Sequence, residues 1–421
     1  MNKTKSIKHF LMAGHGRGYE IVRKNPPKYR KYVMDMCVND TSFDMQCEGS
    51  RAAYTYDLTM LYEDYKPFLN KAIRCFEDDS VDTDWHLFQH LTDLLTIFAF
   101  ESSEKKAEKA ILKKYDRMYE KLMTRRYSSE LHQVCQCFEV LMIELVNWYE
   151  WDRVEKIAHD LGAWFIRRKT ADKEDLKWLF GWLWSVLEDK YGESELRERL
   201  EKSALTSKET AKFVSVMYIP AAITGKKQGK RNPLSAEDIL NSVRNGEIIR
   251  GLRYSLKNMS EPEKNKLSEA VDSLIEYSGS DNKEIRNSAI NVLTNLKDDR
   301  IGAFARAGIA GASKEYYSSY VEMLINNCRP EDEEFLLNEL NKIEIDQDDK
   351  CGWHGIVMNI VHVRDEDIPN SILYWVYENS LCSCCREHIT ESMLRKGLLT
   401  PELKQECLHD ANLEIRDMVE E

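Results

Sequence analysis

Long apolar runs are missing from this chain of 421 residues. Its most apolar stretch, Trp178-Leu179-Phe180-Gly181-Trp182-Leu183-Trp184-Ser185-Val186-Leu187, falls short of the roughly 18 to 20 residues that a helix needs to cross a bilayer. A soluble protein without a membrane partner is expected. The N-terminal residues carry positive charge, but the apolar stretch after them ends within a few residues, which makes a poor secretory signal and points to the cytoplasm. Strand signals, in which Val, Ile and Thr alternate between hairpin turns, are scarce. An excess of positive charge is absent too, since 72 acidic against 60 basic side chains leave the chain at -12. The surface as a whole therefore does not suit a phosphate backbone, which leaves room only for a local basic groove. A disulfide framework is also missing: 11 cysteines are an odd number, scattered through a chain long enough to need no staples, and they read as reduced, mostly buried thiols.

What remains is helix. With 43% hydrophobic and 10% aromatic residues the chain can bury a substantial core in one array or two domains, and apolar residues recur at helical spacing throughout. The class expected is all-α. Pro26, Pro67, Pro262, Pro369 and Pro401 each open an amphipathic segment, as expected of a residue tolerated only in a first helical turn. Ser260-Glu261-Pro262-Glu263 has the spacing of a capping box, in which Ser and Glu each satisfy one orphan amide. Thr400-Pro401-Glu402 repeats the cap and the proline. Thr224 to Pro233 holds two glycines, a proline and four cations without an apolar residue, and reads as an exposed loop. It divides the chain into an aromatic-rich helical region, 1–224, a basic Gly/Pro loop or linker, 225–234, and a C-terminal region, 235–421. Continuous stacking across the loop is the alternative.

The C-terminal region repeats itself. Asp281-Asn282-Lys283-Glu284-Ile285-Arg286 returns in part as Asn412-Leu413-Glu414-Ile415-Arg416, each a polar turn followed by an aliphatic residue, Arg and a helical apolar face. Taking Arg286 as origin, equivalent places fall at Tyr320, His354, Arg386 and Arg416 in units of about 30 to 34 residues, the length of a helix pair. Ile249-Arg250 would begin the series. This pattern resembles the HEAT-repeat superfamily, with Asp281, Ile285, Arg286, Ala289, Leu293 and Leu296 matching it best and Tyr320 and His354 departing from it. The resemblance implies a right-handed α-α superhelix, a solenoid of stacked antiparallel helix pairs. It also implies that Asp281, Arg286, Arg386 and Arg416 are structural, since Asp and Arg form hydrogen-bonded ladders between repeats in that family. In the first half Arg51, Tyr54, Leu58 and Leu61 are the comparable run.

Several groups of residues offer chemistry beside a plainer structural reading. Cys382-Ser383-Cys384-Cys385-Arg386-Glu387-His388, with Cys407 and His409, contains thiols and imidazoles in numbers that zinc could use, and Cys384, Cys385, His388, Cys407 and His409 are the candidate ligands. On a helix the C-x-C-C sulfurs point to different faces, so close helix packing is the plainer reading. Trp148, Trp151, Trp164, Trp178, Trp182 and Trp184 crowd one stretch. Trp178 and Trp182 share a helix face and would line a groove, against the plainer reading of core packing. Gly14-His15-Gly16-Arg17-Gly18 could hold a phosphate at a helix start but matches no phosphate-binding motif and suits an inter-helix turn. Just beyond it, Arg23, Lys24, Lys28, Arg30 and Lys31 with Tyr29 and Tyr32 form the most nucleic-acid-like patch. Around Asp44 to Arg51, Cys47 is read either as a thiolate activated by Arg51 with Glu48 as base, or as part of a turn in which Asp44 or Glu48 pairs with Arg51. Asp84-Trp85-His86 and His90 lack the Glu of a zinc-protease motif.

No triad, metal motif or phosphate cradle stands out, and no cofactor is implied. The function expected is that of a non-enzymatic scaffold or adaptor binding another protein or peptide on the concave face of a solenoid. The alternative is nucleic-acid binding, by resemblance to HEAT-like DNA glycosylases whose groove is lined by Trp, Asp and Arg, residue types present in Trp151-Asp152-Arg153. A zinc- or cysteine-dependent regulator built on residues 382 to 409 is a third possibility.

Overall fold

A computed structural model describes residues 7–43, 45–124, 129–168, 179–217, 233–309, 316–342 and 368–420. Every regular element among them is helical and none is a strand. They fall into two compact units: one gathers the described residues from 7 to 217 together with those from 405 to 420, the other those from 233 to 404. The basic loop from 225 to 232, Trp178, Asp44 and His354 lie outside the described residues.

In the first unit the helices are α1 (Ile7–Met12), α2 (Gly16–Lys24), α3 (Pro26–Met36), α4 (Met45–Glu48), α5 (Ala52–Met60), α6 (Lys66–Phe76), α7 (Trp85–Phe100), α8 (Lys105–Thr124), α9 (Ser129–Trp148), α10 (Trp151–Arg167), α11 (Gly181–Tyr191), α12 (Glu193–Ala204) and α13 (Lys208–Met217). Helix α7 is the hub. Asp84 caps it by accepting from Leu87 N–H at 3.1 Å, and Phe88, Leu91, Leu94, Leu95 and Phe98 are all buried, so it packs on α5, α6, α8 and α9 at once. Helix α8 is one-sided instead: Ala107, Ala110, Ile111, Tyr115, Met118 and Leu122 form its buried stripe at three- and four-residue steps, which is what drives a helix onto a core. Polar groups brought inside are paired, as burial requires. Lys114 is ion-paired with Asp82 and donates to Phe76 O at 2.7 Å, Tyr115 donates to Asp160 at 2.9 Å, and Trp164 donates its indole N–H to Leu122 O at 3.1 Å. Helices α10 and α13 pack extensively on each other. A Cβ on Gly162 would lie 1.8 Å from the Glu209 carbonyl oxygen, so only glycine permits that approach.

The second unit contains α14 (Ala236–Arg244), α15 (Leu252–Asn258), α16 (Glu261–Glu269), α17 (Val271–Ser278), α18 (Lys283–Leu293), α19 (Asp299–Ile309), α20 (Tyr317–Asn326), α21 (Glu333–Leu340), α22 (Asn370–Asn379) and α23 (Ser383–Arg395). Most contacts pass between near neighbours: α17 packs on α18 and α19, α19 on α20, α20 on α21, α21 on α22, and α22 on α23, while α14 packs on α16 and, four helices on, on α18. The last two helices are α24 (Pro401–Cys407) and α25 (Leu413–Glu420). From Gln405 onward the chain groups with the first unit, which differs from a C-terminal region running to residue 421. Ala411 N–H donates to Gly14 O at 2.8 Å, Arg17 pairs with Glu406 at 2.8 Å, Arg416 pairs with Asp57 at 2.8 Å, and the rings of Tyr19 and His409 stack at 3.9 Å.

Capping departs from expectation in one place. Ser260 precedes α16 but makes no side-chain cap. Glu263 is drawn away, accepting from Ala236 N–H at 2.7 Å and pairing with Lys266 at 2.5 Å. The reciprocal box occurs instead at Ser235 and Asp238, at the start of α14. Thr400 accepts from Leu403 N–H at 3.3 Å as expected.

Candidate functional site

The repeated arginines share one local geometry. Arg286 donates to Ser280 O at 3.0 Å, Arg386 to Ser380 O at 3.0 Å, and Arg416 to Asp410 O at 2.5 Å, each reaching back six residues to tie the turn onto its helix. Four residues before the Arg, Asn282 accepts from Glu284 N–H and Ile285 N–H at 2.9 and 3.1 Å, and Asn412 from Glu414 N–H at 2.9 Å. The cap is thus Asn282 rather than Asp281, which sits exposed on the turn. Arg286 also stacks on Tyr316, 5.2 Å from the ring centre, and donates to its hydroxyl at 3.1 Å.

The other sequence candidates are dispersed. Arg23, Lys24, Lys28, Arg30 and Lys31 lie exposed on α2 and α3, but Arg23 is paired with Glu20 at 2.7 Å and Arg30 lies over the rings of Tyr62 and Phe68. Trp182 is 46% exposed whereas Trp164 is fully buried. Arg51 and Glu48 form a buried ion pair at 2.6 Å while Cys47 faces solvent. His86 is exposed and His90 buried with Nε2 against Met36 O at 2.9 Å, so the two do not work as a pair. The glycine-rich stretch is the start of α2, capped by His15 accepting from Arg17 N–H at 3.1 Å, and the C-terminal segment lies against it. Cys384, Cys385 and His388 lie on α23 and its start, Cys407 ends α24, and His409 follows it. Among the described residues no group of three His, Cys, Asp or Glu side chains is placed to hold a metal ion.

One concave site stands apart from these, a cavity of about 960 Å³ in the second unit. Helix α15 presents Arg253, Tyr254 and Lys257 to it, α16 presents Lys264, Asn265 and Ser268, and the turn after α18 presents Asn295, Lys297 and Asp298, with Asn326 closing the end. Buried Leu267 and Val271 belong to its floor. Four cations therefore face one carboxylate, and that carboxylate is engaged. Arg300 holds Asp298 at 2.8 Å, Ser268 donates to it at 3.2 Å, and the Arg300 hydrogen bond draws its pKa down to about 2. Lys264 meets Glu261 at 2.7 Å, an exposed pair of the kind that contributes little, and Arg253 Nε donates to Asn295 Oδ1 at 3.1 Å. Lys257 makes no ion pair among the described residues. Tyr254 is 47% exposed. The lining offers cations, amide groups and one aromatic face, which suits recognition of an anionic extended ligand more than bond-breaking chemistry. Periodicity alone did not reveal it, because its cations come from three separate segments. The clustering of Lys and Arg at the ends of α15 and at Lys297 was the available signal.

Comparison with protein-family models, curated proteins and solved structures yields no match. Among the described residues no helix is long and apolar enough to cross a membrane.

Proposed function

We propose that the second unit is a HEAT-like stack of helix pairs and that the protein is a non-enzymatic scaffold holding an acidic segment of a partner protein in the cavity between α15, α16 and the turn after α18. The observation that carries the reading is the lining itself: four cations and three Asn amides over an apolar floor, with the single carboxylate engaged by Arg300. A cavity of this size accommodates a short extended peptide, and complementary charge speeds and orients such an encounter. The HEAT reading is supported by neighbour-to-neighbour packing of the helices and by the recurring Arg-to-turn bond. The described cysteines, all free of disulfides, support a cytoplasmic setting.

A second reading, nucleic-acid binding, draws on the same cations together with exposed Tyr254, a face on which a base could stack. Against it stands the charge of -12. Fluorescence anisotropy at low salt with a Glu/Asp-rich peptide, a neutral scrambled peptide and single-stranded DNA separates the two. Saturable binding of the acidic peptide with weaker DNA binding is the expected result. No binding of the acidic peptide, or tighter binding of DNA, sinks the scaffold reading of this cavity.

A further inference from the structure

The turn after α18 is tied down at almost every residue. Thr294 O accepts from Asn326 Nδ2, Leu296 O accepts from Asn327 Nδ2 at 3.2 Å, and Asp298 N–H donates to Asn327 Oδ1 at 2.7 Å. Asn327 is buried, which keeps water from competing for its bonds. Two side-chain bonds then join the turn to the helices beside it: Arg253 of α15 donates to Asn295 Oδ1 at 3.1 Å, and Ser268 of α16 donates to Asp298 at 3.2 Å. Lys297 is carried between these ties, exposed and lining the cavity.

Three walls therefore each bring one ammonium group to the same cavity: Lys257 from α15, Lys264 from α16 and Lys297 from the turn. Arg253 stands one helical turn before Lys257, on the same face of α15. The Lys264–Glu261 pair is exposed and gives way cheaply. An Asp or Glu of a partner presents one charge and two oxygens, which leaves a wall unmatched. A phosphate monoester carries close to two charges at neutral pH and three acceptor oxygens, one for each wall. Asp298 would repel such a group, but Arg300 holds it at 2.8 Å and is itself fixed by Asp272 at 2.8 Å and by Ser268 O at 2.6 Å.

Resting on the peptide reading of this cavity, we propose that the segment it takes is phosphorylated, with a phosphoserine or phosphothreonine seated among Lys257, Lys264 and Lys297. Phosphorylation turns a neutral hydroxyl of the partner into the group that the three walls match, so binding follows the phosphorylation state of the partner.

The test is fluorescence anisotropy on the full-length protein with one Glu/Asp-rich peptide in three versions, bearing serine, glutamate or phosphoserine at its centre. The phosphoserine version should bind roughly tenfold or more tighter than the glutamate version at pH 7.5. At pH 5.5 it should weaken by roughly three- to fourfold as its dianion takes up a proton near pH 6, while the glutamate version, ionised at both values, changes little. Among the described residues the ionisable groups lining the cavity are Arg253, Tyr254, Lys257, Lys264, Lys297 and Asp298, with no histidine, so the loss reports the phosphate. Lys297→Gln, at an exposed position, should keep the melting temperature of the parent and remove most of the phosphoserine advantage, leaving the glutamate version within about threefold. Equal affinity of the phosphoserine and glutamate versions, or a phosphoserine affinity independent of pH, would overturn the phosphate inference and leave the acidic-peptide reading standing. Inorganic phosphate binding as tightly as the phosphoserine peptide would overturn it too, since the segment would then add nothing. Absence of binding by all three versions would remove the peptide reading itself, and this inference with it.

Discussion

The carbonyl oxygen of Glu406 lies 1.7 Å from the point that a Cβ on Gly16 would occupy, so the start of α2 and the C-terminal segment meet backbone to backbone. Gly16→Ala must push the two apart, and overpacking of this kind costs about 2–3 kcal/mol. In hydrogen-deuterium exchange the amide of Ala411, donated to Gly14 at 2.8 Å, should lose protection in the variant. An Ala411 amide as protected as in the parent would show that the contact can give way cheaply.

Arg386 is fully buried and Arg286 is not, although both tie down a carbonyl six residues back. Arg386→Ala leaves Ser380 O without that donor and opens a space in the interior, and should cost about 3 kcal/mol. Arg286→Ala should cost about 1 kcal/mol, since water can reach the vacated groups. Urea denaturation of both variants gives the comparison, and equal losses would contradict it.

Glu139 accepts from Trp182 N–H and Leu183 N–H, both at 2.9 Å, yet burial outweighs those bonds and raises its pKa to about 7. The folded state thus binds the proton more tightly than the unfolded chain, whose carboxyl titrates near the ordinary value. Its contribution to stability is complete below about pH 4.5 and is lost as pH rises through about 7. Glu139→Gln carries no such dependence. Relative to the parent it should gain about 3 kcal/mol between pH 4 and pH 8, read as the difference in urea midpoints at the two values. Burial raises Asp93 and Glu144 in the same direction, and both cancel in that difference. A stability gap independent of pH would remove the assignment.

Trp164→Ala should cost about 4 kcal/mol, combining lost burial with a cavity beneath α10. Trp182→Ala should change stability by less than about 1 kcal/mol, because its ring is nearly half exposed. Thermal melts of the two variants separate a core tryptophan from a surface one.

Lys257→Glu combined with Lys297→Glu should leave the melting temperature within a degree or two, both side chains being exposed. The same change should weaken acidic-peptide binding by roughly tenfold or more and flatten its dependence on salt. Unchanged affinity would place the peptide elsewhere.

Helicity was readable because buried positions such as Ala107, Ala110, Ile111, Tyr115, Met118 and Leu122 repeat at the helical step, and the prolines and Thr400 marked real helix starts. The arginine series was readable too, though its chemistry was not. Resemblance pointed to Asp281 as the partner, whereas the side chain at work is Asn282, one residue on, and the acceptor is a main-chain oxygen that no sequence pattern displays. Ser260 and Glu263 had the spacing of a capping box, but a competing donor, Ala236 N–H, distant in sequence, captured the Glu carboxylate. The tryptophan stretch mixed an enclosed ring at Trp164 with an open one at Trp182, and composition cannot tell these apart. The cavity stayed hidden for the same reason: Arg253, Lys264 and Lys297 become neighbours only through folding.

Because Gly14 O accepts from Ala411 N–H, the first unit remains open at that edge until residues 405 to 420 have been made. A proteolytic cut just after residue 400 would therefore injure a place hundreds of residues away, taking Glu406, His409 and Arg416 from Arg17, Tyr19 and Asp57.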